Sequence, residues 1–437
     1  MAEQVRPDRD DVLRPDRRGA TMTPAHPTIE YFDCLVVGGG HAGAETVIAL
    51  RQAGFEGRIG LLGDEPVPPY ERPALSKEYL AGKKDFEQLL LRPSEFWTEP
   101  VVALRLGRRV EAVDPEAHTV TCDDHTTIGY GVLVWAAGGR PRAMACPGND
   151  LDGVRTLRDK ADCDRLIAVL PQSRRFAVIG GGYIGLEAAA VLREAGKEVT
   201  IIETLDRVLA RVAAEPVSRF FEAEHRSRGV DLRLGTGVAE MLGRDGAVSG
   251  VRLTDDTVIR ADQVIVGIGI EPAIQPLRHA GAEVASGGTG VLVDDLCRTT
   301  LADVYCVGDC AVMRSGPGIR IESRQNASEQ AQTAGKAISG HPQPLRLVPW
   351  FWSHQYDLRL QTIGLSLGHD QTVLRGDPGA RGFSLFYLKN GAVIALDCVN
   401  ATRDYVQGRR LVEAGARIDP ARLADTRTPL KEITAAA

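Results

Sequence analysis

The chain has no apolar run close to the ~20 residues that cross a bilayer, so no transmembrane helix is expected. It has no excess of positive charge either: 52 Lys and Arg stand against 58 Asp and Glu, a net charge of −6. That argues against a general nucleic-acid binder, while leaving room for a local basic patch facing an acidic protein. Eight cysteines are scattered without a disulfide framework and without the CxxC of redox or zinc sites. The closest pair, Cys306 and Cys310 in "CVGDC", reads as one residue in a strand and one just past its end. His41, inside the first glycine turn, has no ligand partner at metal-binding spacing, and no metal site is expected. The first thirty residues are short of apolar side chains and rich in charge and proline, which predicts disorder over 1–30. They lack the apolar stretch of a secretory signal and are too acidic for a typical transit peptide, with Met22 an alternative start. A cytoplasmic location is the expectation.

What is present is a repetition. Residues 36–43 read "VVGGGHAG" and residues 178–185 read "VIGGGYIG". Each sits between a strand-like run and an apolar-periodic, helix-like run, and each is followed by a second strand. Short alternating runs with turn signals come after both copies, and both sets end in a strand closed by glycines. The pattern predicts an α/β fold with two doubly wound dinucleotide-binding units, each carrying a small antiparallel layer. With 437 residues, two or three domains are expected. After residue 345 the texture changes: alternating runs flank Asn390-Gly391, a type I′ hairpin signal, and a helix-like stretch follows. A small α+β C-terminal domain is predicted there.

The glycine turns have a mechanism. In G-x-G-x-x-G the first glycine makes the tight turn and the second lets the backbone approach a pyrophosphate. The third lets helix and strand pack closely, and the helix N-terminus offers free N–H groups to the phosphates. Gly38, Gly40 and Gly43 fill these positions in the first copy, with His41 and Ala42 inside the turn. Gly180, Gly182 and Gly185 fill them in the second, with Tyr183 and Ile184. Glu203 ends the next strand, at the ~20-residue distance where a carboxylate accepts the ribose hydroxyls of NAD. It would repel a 2′-phosphate, favouring NADH over NADPH, although Arg207 and Arg211 lie nearby. In the first unit the ribose acid is either Asp64 or Glu65. Asp309, in "VGDCA" before a helix-like stretch, reads in isolation as a helix N-cap. With the rest in place it reads as the partner of a flavin's ribityl chain.

Several longer segments carry a resemblance. "PYERPALSKEYL" (69–80), "AAGGRPR" (136–142), "VGIGIEP" (266–272), "VGDCA" (307–311), "RIESRQNASEQA" (320–331) and "VPWFWSHQYDLRLQ" (348–361) follow one another. Their types and order resemble the FAD-dependent, NADH-linked ferredoxin reductases that serve monooxygenases and ring-hydroxylating dioxygenases. Ala74 stands for a proline, Ala137 for a threonine, and His354 for the aspartate of many members. The resemblance implies an FAD domain split over 31–145 and 272–340, an NAD domain over 146–271, and a C-terminal domain over 345–437. It also implies residue roles. Arg72, Lys77 and Arg142 would lie along the FAD, Asp309 on its ribityl chain and Trp352 near its ring. Gly269 would line the NAD side. Glu187 would face the nicotinamide and pair with Lys77 near the flavin N5. A cation there favours the anionic reduced flavin, and an acid holds it in place. Without the resemblance, Lys77 reads as a surface lysine and Glu187 as a polar helix position.

One further absence bears on the reaction class. Residues 65–100 contain no cysteine, where disulfide-reducing relatives of this fold carry a reactive pair. With no thiol relay, the flavin is expected to be the terminal carrier, taking a hydride from NADH and giving single electrons to an acidic 2Fe–2S ferredoxin. The ferredoxin would serve a cytochrome P450 or Rieske-type oxygenase. Arg324, Arg346 and Arg359 are candidates for its docking surface. A rubredoxin reductase is the nearest alternative, and an NADH-binding regulator resembling apoptosis-inducing factor a more distant one.

Overall fold

The computed structural model describes residues 29–433, so most of the stretch expected to be disordered lies outside the described residues. The strand Glu30–Val37 runs into the first glycine turn and then into the helix His41–Gln52. That strand lies between parallel neighbours, Ile59–Gly63 on one side and Thr127–Trp135 on the other. Ala103–Leu106 extends one edge. Val304–Cys306 adds in parallel to the end of Thr127–Trp135, so the chain returns to this sheet after building the whole second unit. The hairpin Val110–Asp114 and Thr119–Cys122 attaches antiparallel to the start of Thr127–Trp135. The second half of the strand Glu30–Val37, Cys34–Val37, is apolar and buried throughout, which suits a strand covered on both faces. The helices His41–Gln52 and Arg324–Ile338 pack together on one of them.

The second unit repeats the plan. Its parallel sheet runs Asp231–Leu234, Glu198–Glu203, Arg175–Ile179, Gln263–Val266 and Val154–Arg155. A three-stranded antiparallel layer, Val238–Arg244, Ala247–Leu253 and Val258–Arg260, lies beside it. The chain leaves the first unit along Gly139–Pro141 and comes back along Ile270–Pro272, and these two segments pair antiparallel.

The C-terminal part is a five-stranded antiparallel sheet in the order Trp350–Gln355, Leu358–Gly364, Ala392–Val399, Gly382–Lys389, Gln371–Asp377. Asn390 and Gly391 both have positive φ, 49° and 77°, as a type I′ turn demands. The helix Thr402–Glu413 packs on this sheet. One apolar cluster joins all three parts: Tyr70, Leu75 and Leu80 from the first, Leu186, Phe220 and Phe221 from the second, Phe383, Leu385 and Tyr387 from the third. Each large apolar side chain buried there contributes about 1.5–3 kcal/mol. The three parts are therefore held by a shared core as well as by covalent links.

One local expectation is corrected. The stretch after Asp309 is not helical. Gly308–Cys310 is a single 3-10 turn, and Ala311–Met313 is a strand paired in parallel with Val291–Val293. Sheet pairing outweighs the helix-like composition, and the helix begins only at Arg324. No described helix is long and apolar enough to cross a membrane.

Candidate functional site

The two glycine turns differ position by position in what they require. A Cβ on Gly43 would lie 1.9 Å from the Gly38 carbonyl oxygen, and one on Gly185 would lie 2.2 Å from that of Gly180. Those glycines serve helix–strand packing within the protein. The middle glycines do not. Gly40 and Gly182 have φ of −89° and −81°, which any residue adopts. A Cβ on Gly182 would meet nothing within 4 Å, and one on Gly40 only the Arg72 Nε at 3.8 Å. The protein leaves both positions open at the N-terminus of a twelve-residue helix. That is the geometry a pyrophosphate needs.

Around the first turn three segments converge. A Cβ on Gly308 would touch the Cβ atoms of Ala42 and Ala327, at 2.9 and 3.9 Å. On or against these segments stand three buried polar atoms with no protein partner among the described residues: His41 Nε2, Arg320 Nε and Asn326 Oδ1. Together they offer donor and acceptor sites to a polar ligand, which fits FAD. Burial, helped by Arg324 and Arg72, holds the His41 imidazole down at about 3, so it is neutral at working pH. The Asp309 carboxylate stands 3.6 Å from the Arg158 guanidinium, and its backbone carbonyl accepts from Arg320 Nη1 at 3.1 Å. Glu65 accepts from the Tyr70 hydroxyl at 2.6 Å and pairs with Arg72, whereas Asp64 is exposed.

At the second turn, Glu203 is already oriented. Its Oε2 accepts from the Gly181 N–H at 2.7 Å, and its Oε1 from Leu205 N–H at 2.9 Å and the Thr204 hydroxyl at 3.2 Å. Arg207 is turned inward, donating to the Ala213 carbonyl and the Ser218 hydroxyl at 2.7 and 2.6 Å.

Between the two turns the units touch through a buried ion pair. The segment after Arg72–Ser76 brings Lys77 against Glu187, which lies in the first turns of the helix Tyr183–Glu194. Lys77 Nζ is 2.6 Å from Glu187 Oε2, and the two side chains are 12% and 2% exposed. Ser76 Oγ donates to the same oxygen at 2.7 Å. Thus a cation from the first unit is fixed against the first turns of the second unit's helix.

Residues 32–336 match the pyridine nucleotide-disulphide oxidoreductase family, and residues 350–434 match the reductase C-terminal family. The chain belongs to the pyridine nucleotide-disulphide oxidoreductases. It is 56% identical to the 5,5'-dehydrodivanillate O-demethylase ferredoxin reductase subunit of Sphingobium sp., over 93% of this chain and 99% of that one. It is 55% identical to a ferredoxin--NAD(P)(+) reductase of Sphingomonas sp., over 92% and 98%. The crystal structure of the covalent putidaredoxin reductase–putidaredoxin complex superposes with a TM-score of 0.88 at 37% identity, covering 92% of this chain and 97% of that one. These relatives are ferredoxin reductases by name, and the chain is an oxidoreductase that uses FAD and NAD(H).

In this oxidoreductase the C-terminal sheet also reaches the site. Along Trp350–Gln355 the side chains alternate. Phe351 packs on Tyr183 with ring centroids 4.5 Å apart, and Ser353 donates to Glu187 Oε1 at 2.6 Å. Trp350 and Trp352 pack together on the other face, 5.5 Å apart. Ile184 is exposed beside Tyr183. Arg142 and Gly269 meet through a backbone hydrogen bond where the chain crosses between units, and Arg142 lines a cavity of about 250 Å³ with Arg155 and Asp162, apart from Lys77 and Glu187. Arg324 pairs with Glu71 at 3.2 Å, while Arg346 and Arg359 are exposed. Arg324 adjoins Gln325, which accepts from the Trp350 N–H, whereas Arg359 is registered opposite His354 at the far end of that strand. Ser76, Ser353, Tyr70, Arg158, Arg320 and Asn326 were not singled out from sequence. The readable signal for Ser353 was polar residues at alternate positions on the buried face of an otherwise aromatic strand.

Proposed function

We propose that the chain takes a hydride from NADH, in preference to NADPH, and passes single electrons to an acidic 2Fe–2S ferredoxin in a transient complex. The ferredoxin in turn serves a cytochrome P450 monooxygenase or Rieske-type oxygenase. The observation that carries this reading is the buried Lys77–Glu187 pair bridging the two dinucleotide-binding units, in a chain with no cysteine over residues 65–100. Bound FAD supplies the chemistry, accepting a hydride and releasing its electrons one at a time.

The chain's residues do the rest. Gly40 and Gly182 leave room for the pyrophosphates, and His41, Asn326 and Arg320 would hold FAD by their unpartnered atoms. Glu203 accepts from the nicotinamide cofactor's adenine ribose. Lys77 sets a positive charge where negative charge develops, and Glu187 keeps that ammonium from swinging away. Trp352 would stand near the ring of bound FAD, and Phe351, packed on Tyr183, would back the nicotinamide side. Disulfide chemistry is disfavoured by the surroundings of the sulfurs. Cys163 Sγ donates to the Leu75 carbonyl, and burial pushes its thiol up to about 12. Cys306 and Cys310 are fully buried, and burial raises the Cys306 thiol too.

Exposed Arg346 and Arg359 support a docking surface for an acidic partner. Eight free cysteines fit a reducing, cytoplasmic setting. The test is NADH-driven turnover with a panel of acceptors. A 2Fe–2S ferredoxin should be reduced far faster than rubredoxin or oxygen. Equal or faster rates with rubredoxin would overturn the assignment of the partner.

A further inference from the structure

Glu187 accepts three hydrogen bonds, and the one on Oε1 comes from the third part of the chain. Behind Ser353 the polar side chains continue in an unbroken line. Gln355 Nε2 lies 3.2 Å from Ser353 Oγ, His225 Nε2 lies 2.9 Å from Gln355 Oε1, and the Tyr356 hydroxyl lies 3.1 Å from His225 Nδ1. Ser353, Gln355 and His225 are at most 1% exposed. His225 sits on the helix Glu215–Ser227 of the second unit, so the line leaves the NAD side, crosses the C-terminal sheet and ends on the catalytic pair.

Hydrogen-bond chemistry allows one direction for the whole line. A carboxylate only accepts, so Ser353 must give its single proton to Glu187. Ser353 Oγ must then accept from the Gln355 amide N–H. That turns the Gln355 carbonyl oxygen toward His225, whose Nε2 must carry the proton. His225 Nδ1 is left to accept from Tyr356. An imidazolium could not accept there, and burial holds His225 down at about 4, which keeps it neutral. Every member has one role, and every bond points toward Glu187.

We propose that Ser353, locked by Gln355 and His225, is a positioning residue that fixes the Glu187 carboxylate and through it the Lys77 ammonium. The C-terminal domain thereby completes the site that the two dinucleotide-binding units form. The inference rests on the reading that Lys77 and Glu187 face the flavin. The physical reason is economy of freedom. Lys77 and Ser76 both hold Oε2, so without Ser353 the carboxylate can rotate about that single anchored oxygen.

The test uses the full-length holoprotein with Ser353→Ala, Ser353→Thr, Gln355→Met and Glu187→Gln. Two quantities are read: the rate of flavin bleaching by NADH in anaerobic stopped flow, and the flavin midpoint potential. Losing a hydrogen bond to a charged group predicts a roughly tenfold slower bleaching for Ser353→Ala. Its half-saturating NADH should change by less than about twofold, because the contact is not to the adenine half. The potential should move in the same direction as in Glu187→Gln, by less. Ser353→Thr should restore both, and Gln355→Met should show a smaller loss, about threefold. Wild-type rate and potential in Ser353→Ala, alongside a clear change in Glu187→Gln, would overturn the positioning role alone. No change in Glu187→Gln would overturn both this role and the reading it rests on.

Discussion

Replacing Glu203 by glutamine keeps the shape of the side chain and removes its charge. Two like unit charges ~4 Å apart repel by about 4 kcal/mol at an effective dielectric near 20. Glu203 is only half-buried, so roughly half of that, about 2 kcal/mol, is the repulsion a 2′-phosphate would meet. Relief of about 2 kcal/mol is a roughly 30-fold gain in kcat/KM for NADPH. The same change weakens hydrogen bonds from the ribose hydroxyls, since a neutral acceptor is worth about 1–1.5 kcal/mol less than a charged one, a roughly tenfold loss for NADH. The NADH/NADPH ratio should therefore fall by about two to three orders of magnitude. No rescue for the wild type comes from Arg207, whose guanidinium is committed to the Ala213 and Ala210 carbonyls and to Ser218. The assay is anaerobic flavin reduction over a range of each nucleotide. A ratio that moves by less than about threefold would refute the assignment of Glu203 to the ribose.

Other consequences are equally direct. Gly182→Ala should melt within about 2 °C of the wild type, because its Cβ would meet nothing within 4 Å, yet should weaken NADH binding roughly tenfold or more. Gly185→Ala places a Cβ 2.2 Å from the Gly180 carbonyl oxygen and should instead lower stability by about 1–3 kcal/mol or more. Thermal melts and NADH saturation of both variants separate these outcomes, and equal loss of stability in both would contradict the packing argument. Burial pushes the Asp397 carboxyl, which accepts from the Tyr387 hydroxyl at 2.5 Å, up to about 7. Its folded form favours the proton more than its unfolded form does. Stability from this group is therefore present in acid and lost as pH rises from about 4 through 7. Asp397→Asn should remove that loss, on the order of 2–4 kcal/mol, so urea midpoints at pH 5 and pH 8 should draw together. An unchanged difference between those midpoints would show that Asp397 is ionised at little cost.

Much of this was legible in the sequence because the mechanics are local. The turns at Gly38 and Gly180 need positive φ within a few residues of a strand and a helix, and that pattern is written contiguously. The hairpin at Asn390-Gly391 is local in the same way. The meeting of Lys77 with Glu187 is not, since the partners come from different units. It was readable only through the resemblance of the segments around them. Ser353, Gln355 and His225 escaped notice because their contacts join helix and strand from separate parts of the chain, where periodicity within one element says nothing. The helix expected after Asp309 failed for a similar reason: the partner strand Val291–Val293, distant in sequence from any helix signal, draws Ala311–Met313 into a sheet. Arg207 shows the converse. Its sequence position left a phosphate-binding role open, and the fold closes it by turning the side chain inward.

Electrons should enter this protein as a pair and leave it singly. The direct measurement is an anaerobic titration of a 2Fe–2S ferredoxin with NADH and a trace of this protein, followed by the cluster's absorbance. Each NADH should reduce two molecules of ferredoxin, with NADPH far slower at equal concentration. Flavin bleached by NADH beside a ferredoxin that stays oxidised would contradict the account.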